Sequence, residues 1–141
     1  MAYEGHSGHW HLSLRAVRAA RHRTANALQV AFGWAQLGEP QKVRESLERI
    51  VREEALLSAL GRSGDEGQQY AFWQLMADVE ESGRHLAFFG RPGAIGPAAL
   101  GELLPQLAAA LQAGRTDALA VTCGEDGITL SWPEEDQDVR R

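Results

Sequence analysis

The sequence predicts an α+β protein, an N-terminal antiparallel helical hairpin followed by a small α/β domain. Residues 11–60 are rich in Ala, Leu, Arg and Gln with apolar residues at helical spacing, interrupted once by Gly38, Glu39 and Pro40. Residues 84–90, 117–123 and 127–132 are short apolar runs bounded by glycine, proline or turn-forming residues, the pattern of strands. Aliphatic and aromatic residues make up 44% of the 141-residue chain, enough for a real core. The hairpin alone is too small to bury its own apolar stripe. Two hairpins are therefore expected to pair into a dimeric four-helix bundle, with helices close to antiparallel.

Taken in order, residues 1–10 are expected as a flexible lead-in. The first helix runs from about His11 to Leu37. Gly38 suits the position just past a helix C-terminus and Pro40 the first turn of the next helix. That second helix extends to Leu60, with Val43, Leu47, Ile50 and Leu57 at heptad-like spacing, and closes the hairpin domain (11–60). The segment GRSGDEG (61–67) has the composition of a linker. The small domain (68–132) starts with a helix from Gln69 to Ser82, ended by Gly83, and a strand over 84–90. A loop (91–97) leads to a helix from Ala98 to Ala113, where Pro105 is an awkward interior residue. The runs 117–123 and 127–132 form a hairpin around GEDG (124–127). An acidic tail, 133–141, is expected to be disordered.

Charge is unevenly spread. The net charge is −5, yet residues 1–60 carry eight Lys/Arg against six Asp/Glu, and residues 61–141 carry six against thirteen. An acidic chain argues against nucleic acid as a partner, whereas a basic first helix suits an acidic protein surface. One cysteine, Cys123, allows no disulfide within the chain and fits a reducing cytosol. The start MAYEGHSGHWHL lacks the basic and continuous apolar regions of a signal peptide, and no run approaches the ~20 apolar residues of a membrane span. A cytoplasmic protein without a membrane partner is expected.

Helix geometry singles out His22. At about 100° per residue, Arg15, Arg18, Asn26, Gln29, Gly33 and Gln36 fall within about 40° of it. Val17, Ala20, Thr24, Ala27, Leu28, Ala31 and Ala35 cluster on the other side, as the expected buried stripe. His22 is thus placed mid-helix on a polar face, with arginines above it and an amide below. Imidazole titrates near neutrality and is nucleophilic when neutral, and cations one and two turns away favour an incoming dianion. On geometry alone, an ordinary surface histidine on a solvated arginine-rich face is the commoner reading; the helical wheel permits a carrier role without establishing it.

The string RHRTANALQVAFGWAQLGEPQKVRESLERIV (21–51) resembles the helical hairpin of the sporulation initiation phosphotransferase B family and its sensor-kinase relatives. Arg21, His22, Asn26, Leu28, Gln29 and Gly33 occupy the family's motif positions. FWQLMADVEESGRHLAFF (72–89) is similar to that family's entry into its second domain. The resemblance covers about residues 12–132 and is most specific over 21–37. It implies a dimeric bundle with His22 exposed as the phosphorylated residue. It also implies a C-terminal domain that is a degenerate relative of the histidine-kinase ATPase domain. The implied activity is phosphotransfer between receiver aspartates of response regulators through a phosphohistidine. Asn26 would sit one turn along from the reacting imidazole, and Arg15, Arg18, Arg21, Arg23 and Gln29 would bind the receiver. No cofactor is expected on this chain, the magnesium being the receiver's. The family's acidic residue after the histidine is replaced here by Arg23. This substitution supports a second reading, a non-catalytic dimeric receiver-binding regulator or scaffold.

ATP chemistry is not expected. Asn26 is the only asparagine in the chain, and neither an Asp-x-Gly-x-Gly loop nor a GxxxxGK[ST] loop occurs. His6, His9 and His11 lie close together, but without a fixed Cys or carboxylate partner they are expected as a polar terminus rather than a zinc site. His85 is expected at a strand edge and Cys123 as a small core residue, with Tyr70, Phe72, Trp73, Phe88 and Phe89 in the core of the small domain.

Overall fold

The run of helix formers before Gly38 folds as one long helix, α1 (Ala2–Gln36), in the computed structural model, which describes residues 2–84, 86–114 and 119–131, with side chains from Leu14 onward. The helix takes in residues 2–10, expected as a lead-in. Gly38 adopts φ +72°, a left-handed conformation that an L side chain resists, and Pro40 opens α2 (Pro40–Arg62). After a short turn comes α3 (Glu66–Glu81), longer at its start than the sequence predicts. The reason is a capping box. Asp65 accepts from the backbone N–H of Gln68, and the Gln68 side chain accepts from the N–H of Asp65, so the first turn has partners for donors it would otherwise leave open. Then follow β1 (Leu86–Gly90), a 3-10 turn (Pro92–Ala94), α4 (Ala99–Gln112), β2 (Leu119–Gly124) and β3 (Gly127–Ser131). The α+β class is therefore observed. The helix α4 continues through Pro105. His85 and the tail at 133–141 lie outside the described residues.

The three strands form one sheet in the order β1-β2-β3, β1 parallel to β2 and β2 antiparallel to β3. The parallel pair needs a crossover, which α4 supplies. Leu86, Phe88, Leu119, Val121 and Cys123 are buried on one face of the sheet. They meet Leu100, Leu103 and Leu107 of α4 and Phe72, Met76 and Val79 of α3 in one apolar cluster. Leu56, Leu57 and Leu60, from the C-terminal half of α2, belong to the same cluster, so hairpin and sheet share a core across the turn at 63–65. The Cys123 thiol is pushed up by its burial, as for a packed, unreactive sulfur.

At the end of the β1–β2 ladder, Gly90 pairs with Cys123 and holds φ +117°. A Cβ placed there would lie 2.0 Å from the Cys123 carbonyl oxygen. Gly90→Ala is therefore expected to cost about 2 kcal/mol or more, by backbone strain plus a forced parting of the strands. Urea denaturation checks this, and an unchanged midpoint would show that the sheet yields there freely.

Among the described residues of α1 only Ala31 is buried. Thr24 and Ala27 are half-buried against α2, while Val17, Ala20, Leu28 and Ala35, all expected inside, are exposed. One neighbouring helix covers only part of the stripe. Leu14, Val17, Leu28 and Phe32 lie within about 30° of a common direction on α1 and remain open to solvent, as do Leu47 and Val51 on α2. Thr24 borders the first set and Glu54 the second, and the Thr24 hydroxyl donates to Glu54 at 3.0 Å. The two sets thus form one apolar face of the hairpin, on the far side of α1 from α3.

Candidate functional site

The third helix lies along α1 between Arg15 and His22. Arg15 donates through Nε to both carboxylate oxygens of Glu81, at 2.9 and 3.0 Å, and through Nη2 to Asp78 and Glu81. These contacts hold the Glu81 carboxyl below its usual range and push the Arg15 guanidinium further up. Two turns along, Nδ1 of His22 lies 2.6 Å from Oε1 of Glu80. The His22 side chain is 66% exposed and that of Glu80 18%. Among the described residues, Nε2 of His22 has no hydrogen-bond partner.

Beneath His22, Glu53 of α2 is the buried charge of the core region, 8% exposed. Its two oxygens accept from Arg23 at 2.6 Å and from Arg49 at 2.8 Å. Arg23 also stands 5.6 Å from the centroid of the Phe88 ring, tying α1 to the sheet. Between α1, α2 and α3 is a cleft of about 270 Å³, lined by His22, Asn26, Arg49, Glu53 and Glu80 among others.

The residues expected at the site therefore separate. His22, Arg18, Arg21, Asn26 and Gln29 are exposed on α1. Arg18 and Arg21 have no ion-pair partner among the described residues. Arg15 and Arg23, expected to face a partner protein, are instead turned inward to α3 and α2. The reason is charge complementarity: α3 presents Asp78 and Glu81, and α2 presents Glu53, against the same side of α1. Glu80 and Glu53 were not anticipated. Their partners are 58 and 30 residues away, beyond any local pattern.

The inward role of Arg23 has a measurable consequence. A carboxylate bonded by two guanidiniums at low exposure ties α1 to α2, and its removal leaves Arg23 partly buried without a counter-charge. Glu53→Ala is expected to destabilise the fold by about 2–4 kcal/mol, discounted from the fully buried case because Arg23 keeps some water access. Arg49→Ala, on the more exposed partner, is expected to cost under about 1 kcal/mol. Equal losses in thermal melts of the two variants would mean that the buried pair is not the one that matters.

Among the described residues, no group of three His, Cys, Asp or Glu is placed to hold a metal ion. The side chains of His6, His9 and His11 lie outside the described set. No described helix is long and apolar enough to cross a membrane. Comparison with protein-family models, with characterised proteins and with solved structures finds no match.

Proposed function

We propose that the protein is a phosphorelay phosphotransferase, a cytoplasmic histidine phosphocarrier that moves a phosphoryl group between receiver aspartates of response regulators. The observation that carries this reading is His22. It is a solvent-accessible imidazole in the middle of a long helix, with one ring nitrogen held by a carboxylate and the other without a partner among the described residues. An aspartyl phosphate is a reactive mixed anhydride, and a neutral imidazole nitrogen in line with its phosphorus is a competent acceptor. The transfer returns a carboxylate to the receiver. Arg18, exposed one turn before His22, favours the dianion and the acidic metal site that presents it, and Arg21, exposed about 100° round the helix, adds to the positive charge of the same segment. Asn26 and Gln29, one and two turns on, are placed to contact the phosphoryl group or the receiver loop. The magnesium belongs to the receiver.

The proposal includes a C2 homodimer through the open face of the hairpin, giving a four-helix bundle with two exposed copies of His22. The small domain is then a reduced relative of a kinase ATP-binding domain that serves as a brace for α1 rather than a nucleotide site. A second reading, a receiver-binding regulator without transfer, draws on Arg23 and its engagement with Glu53. One experiment separates the two. Mixing the protein with a phosphorylated receiver is expected to give acid-labile, base-stable label on this chain. Saturable binding without label would replace the carrier reading by the regulator.

A further inference from the structure

His22 has two chemically different ring nitrogens, and the fold treats them differently. Nδ1 is within 2.6 Å of the Glu80 carboxylate, while Nε2 has no partner among the described residues. Glu80 is not a wandering surface side chain. It is 18% exposed and sits in the last turn of α3, just before Gly83 ends the helix at φ +75°. Val79, next to it in that turn, and Met76, one turn earlier, are in the core. Arg15 clamps the same turn through Asp78 and Glu81. Its position against His22 is therefore set by the packing of α3 on α1.

We propose that Glu80 is a positioning residue that makes Nε2 of His22 the phosphoryl acceptor, in place of the acidic neighbour that Arg23 displaces. The inference rests on the phosphocarrier reading of His22. A carboxylate can only accept, so the contact requires the proton on Nδ1 and puts the lone pair on Nε2. Free imidazole side chains prefer the opposite tautomer, so Glu80 selects the minor form. The step balances without moving a proton. The Nε2 lone pair attacks the phosphorus of the receiver's aspartyl phosphate, the Nε2–P bond forms, and the P–O bond to the aspartate breaks, its electron pair leaving with the receiver carboxylate. The Nδ1 proton stays where it is, and the positive charge that develops on the ring faces the Glu80 carboxylate. Return of the phosphoryl group to a second receiver reverses the same events.

The test uses the full-length protein and two readouts. The first needs no partner. Nitrogen-15 shifts of His22 at about pH 8, where an ordinary imidazole is neutral, are expected to report the Nδ1–H tautomer in the wild type and the Nε2–H tautomer in Glu80→Ala. The second is the site of phosphorylation after labelling by a phosphorylated receiver, read as the phosphohistidine isomer. The wild type is expected to give the Nε2 isomer alone. Glu80→Ala is expected to lose that exclusivity and to transfer about tenfold more slowly, short of the ~10⁴ contributed by the carboxylate of a Ser-His-Asp triad because Glu80 keeps some water access. Glu80→Gln retains an acceptor oxygen without the charge, so it is expected to keep the Nε2 isomer while transferring more slowly than wild type. A brace alone would slow transfer without changing the isomer. An Nε2–H tautomer in the wild type, or label on Nδ1, overturns the role of Glu80 while leaving His22 as carrier. No label on any variant, with the Nδ1–H tautomer present, removes the carrier reading instead.

Discussion

His22→Ala is expected to abolish phosphoryl transfer while leaving the protein folded. The loss should be complete rather than graded, because the residue supplies the atom to which phosphorus bonds, and no neighbouring side chain can substitute. Asn26 and Gln29 are amides, the arginines are protonated, and a carboxylate acceptor such as Glu80 would give acyl phosphate, which base destroys. Folding should be untouched because the His22 side chain is itself exposed, and a single exposed polar contact contributes about 1 kcal/mol or less. The measurement is acid-labile, base-stable label after mixing with a phosphorylated receiver, alongside a thermal melt. If the variant labels as the wild type does, the carrier is one of His6, His9, His11 or His85, and the site on α1 is misassigned. If it unfolds, His22→Gln provides the comparison, since an amide keeps a donor for Glu80.

What could be read from the sequence, and what could not, divides along local and non-local interactions. The break at 38–40 was legible because Gly38 and Pro40 act through their own backbone preferences. The helices and strands were legible because periodic apolar residues mark them, to within a few residues at their ends except at the start of α1, which begins at Ala2, well before the expected His11. The early start of α3 was encoded in Asp65 and Gln68, a capping signal three residues apart that lay inside an apparent linker. The helical wheel placed His22 on a solvent-accessible face, but it could not supply the neighbours. Which part of the α1 surface is covered depends on α3 folding back along it, and that follows from the shared core of Leu56, Leu57, Leu60, Phe72 and Phe88. One trace was present. Asp78 and Glu81, three residues apart on one helix face, mirror the arginines of α1, and the acidic second half of the chain against its basic first helix hinted at an internal match. The charge asymmetry instead suggested an external partner, and the structure gives it an internal use at Arg15, which pairs with Asp78 and Glu81 of the acidic half.

The same coverage argument predicts how two chains meet. With α3 on one side and α2 on another, Leu14, Val17, Leu28 and Phe32 of α1 and Leu47 and Val51 of α2 are left exposed on one side of the hairpin, with Arg21 in the same sector of the helical wheel, between Val17 and Leu28 along α1. Large apolar side chains concentrated on one side of a helical pair seek a partner. His22 lies about 110° round α1 from the centre of that stripe, so a symmetric bundle would cover the stripe and leave the imidazole accessible. Phe32→Asp and Val51→Asp, separately, are expected to leave the fold unchanged, because both side chains already face solvent within one chain. Each is expected to weaken self-association strongly. Burial of one such side chain contributes about 1.5–3 kcal/mol, a charge in its place adds a desolvation cost, and two-fold symmetry repeats the loss in the second protomer. Together these correspond to roughly a hundredfold or greater rise in the dimer dissociation constant. Sedimentation equilibrium across the micromolar range, with circular dichroism as the control for folding, measures it. A wild-type monomer at micromolar concentration, or variants that associate as the wild type does, would mean that this face is not the dimer interface and that a four-helix bundle is not how the hairpin is completed.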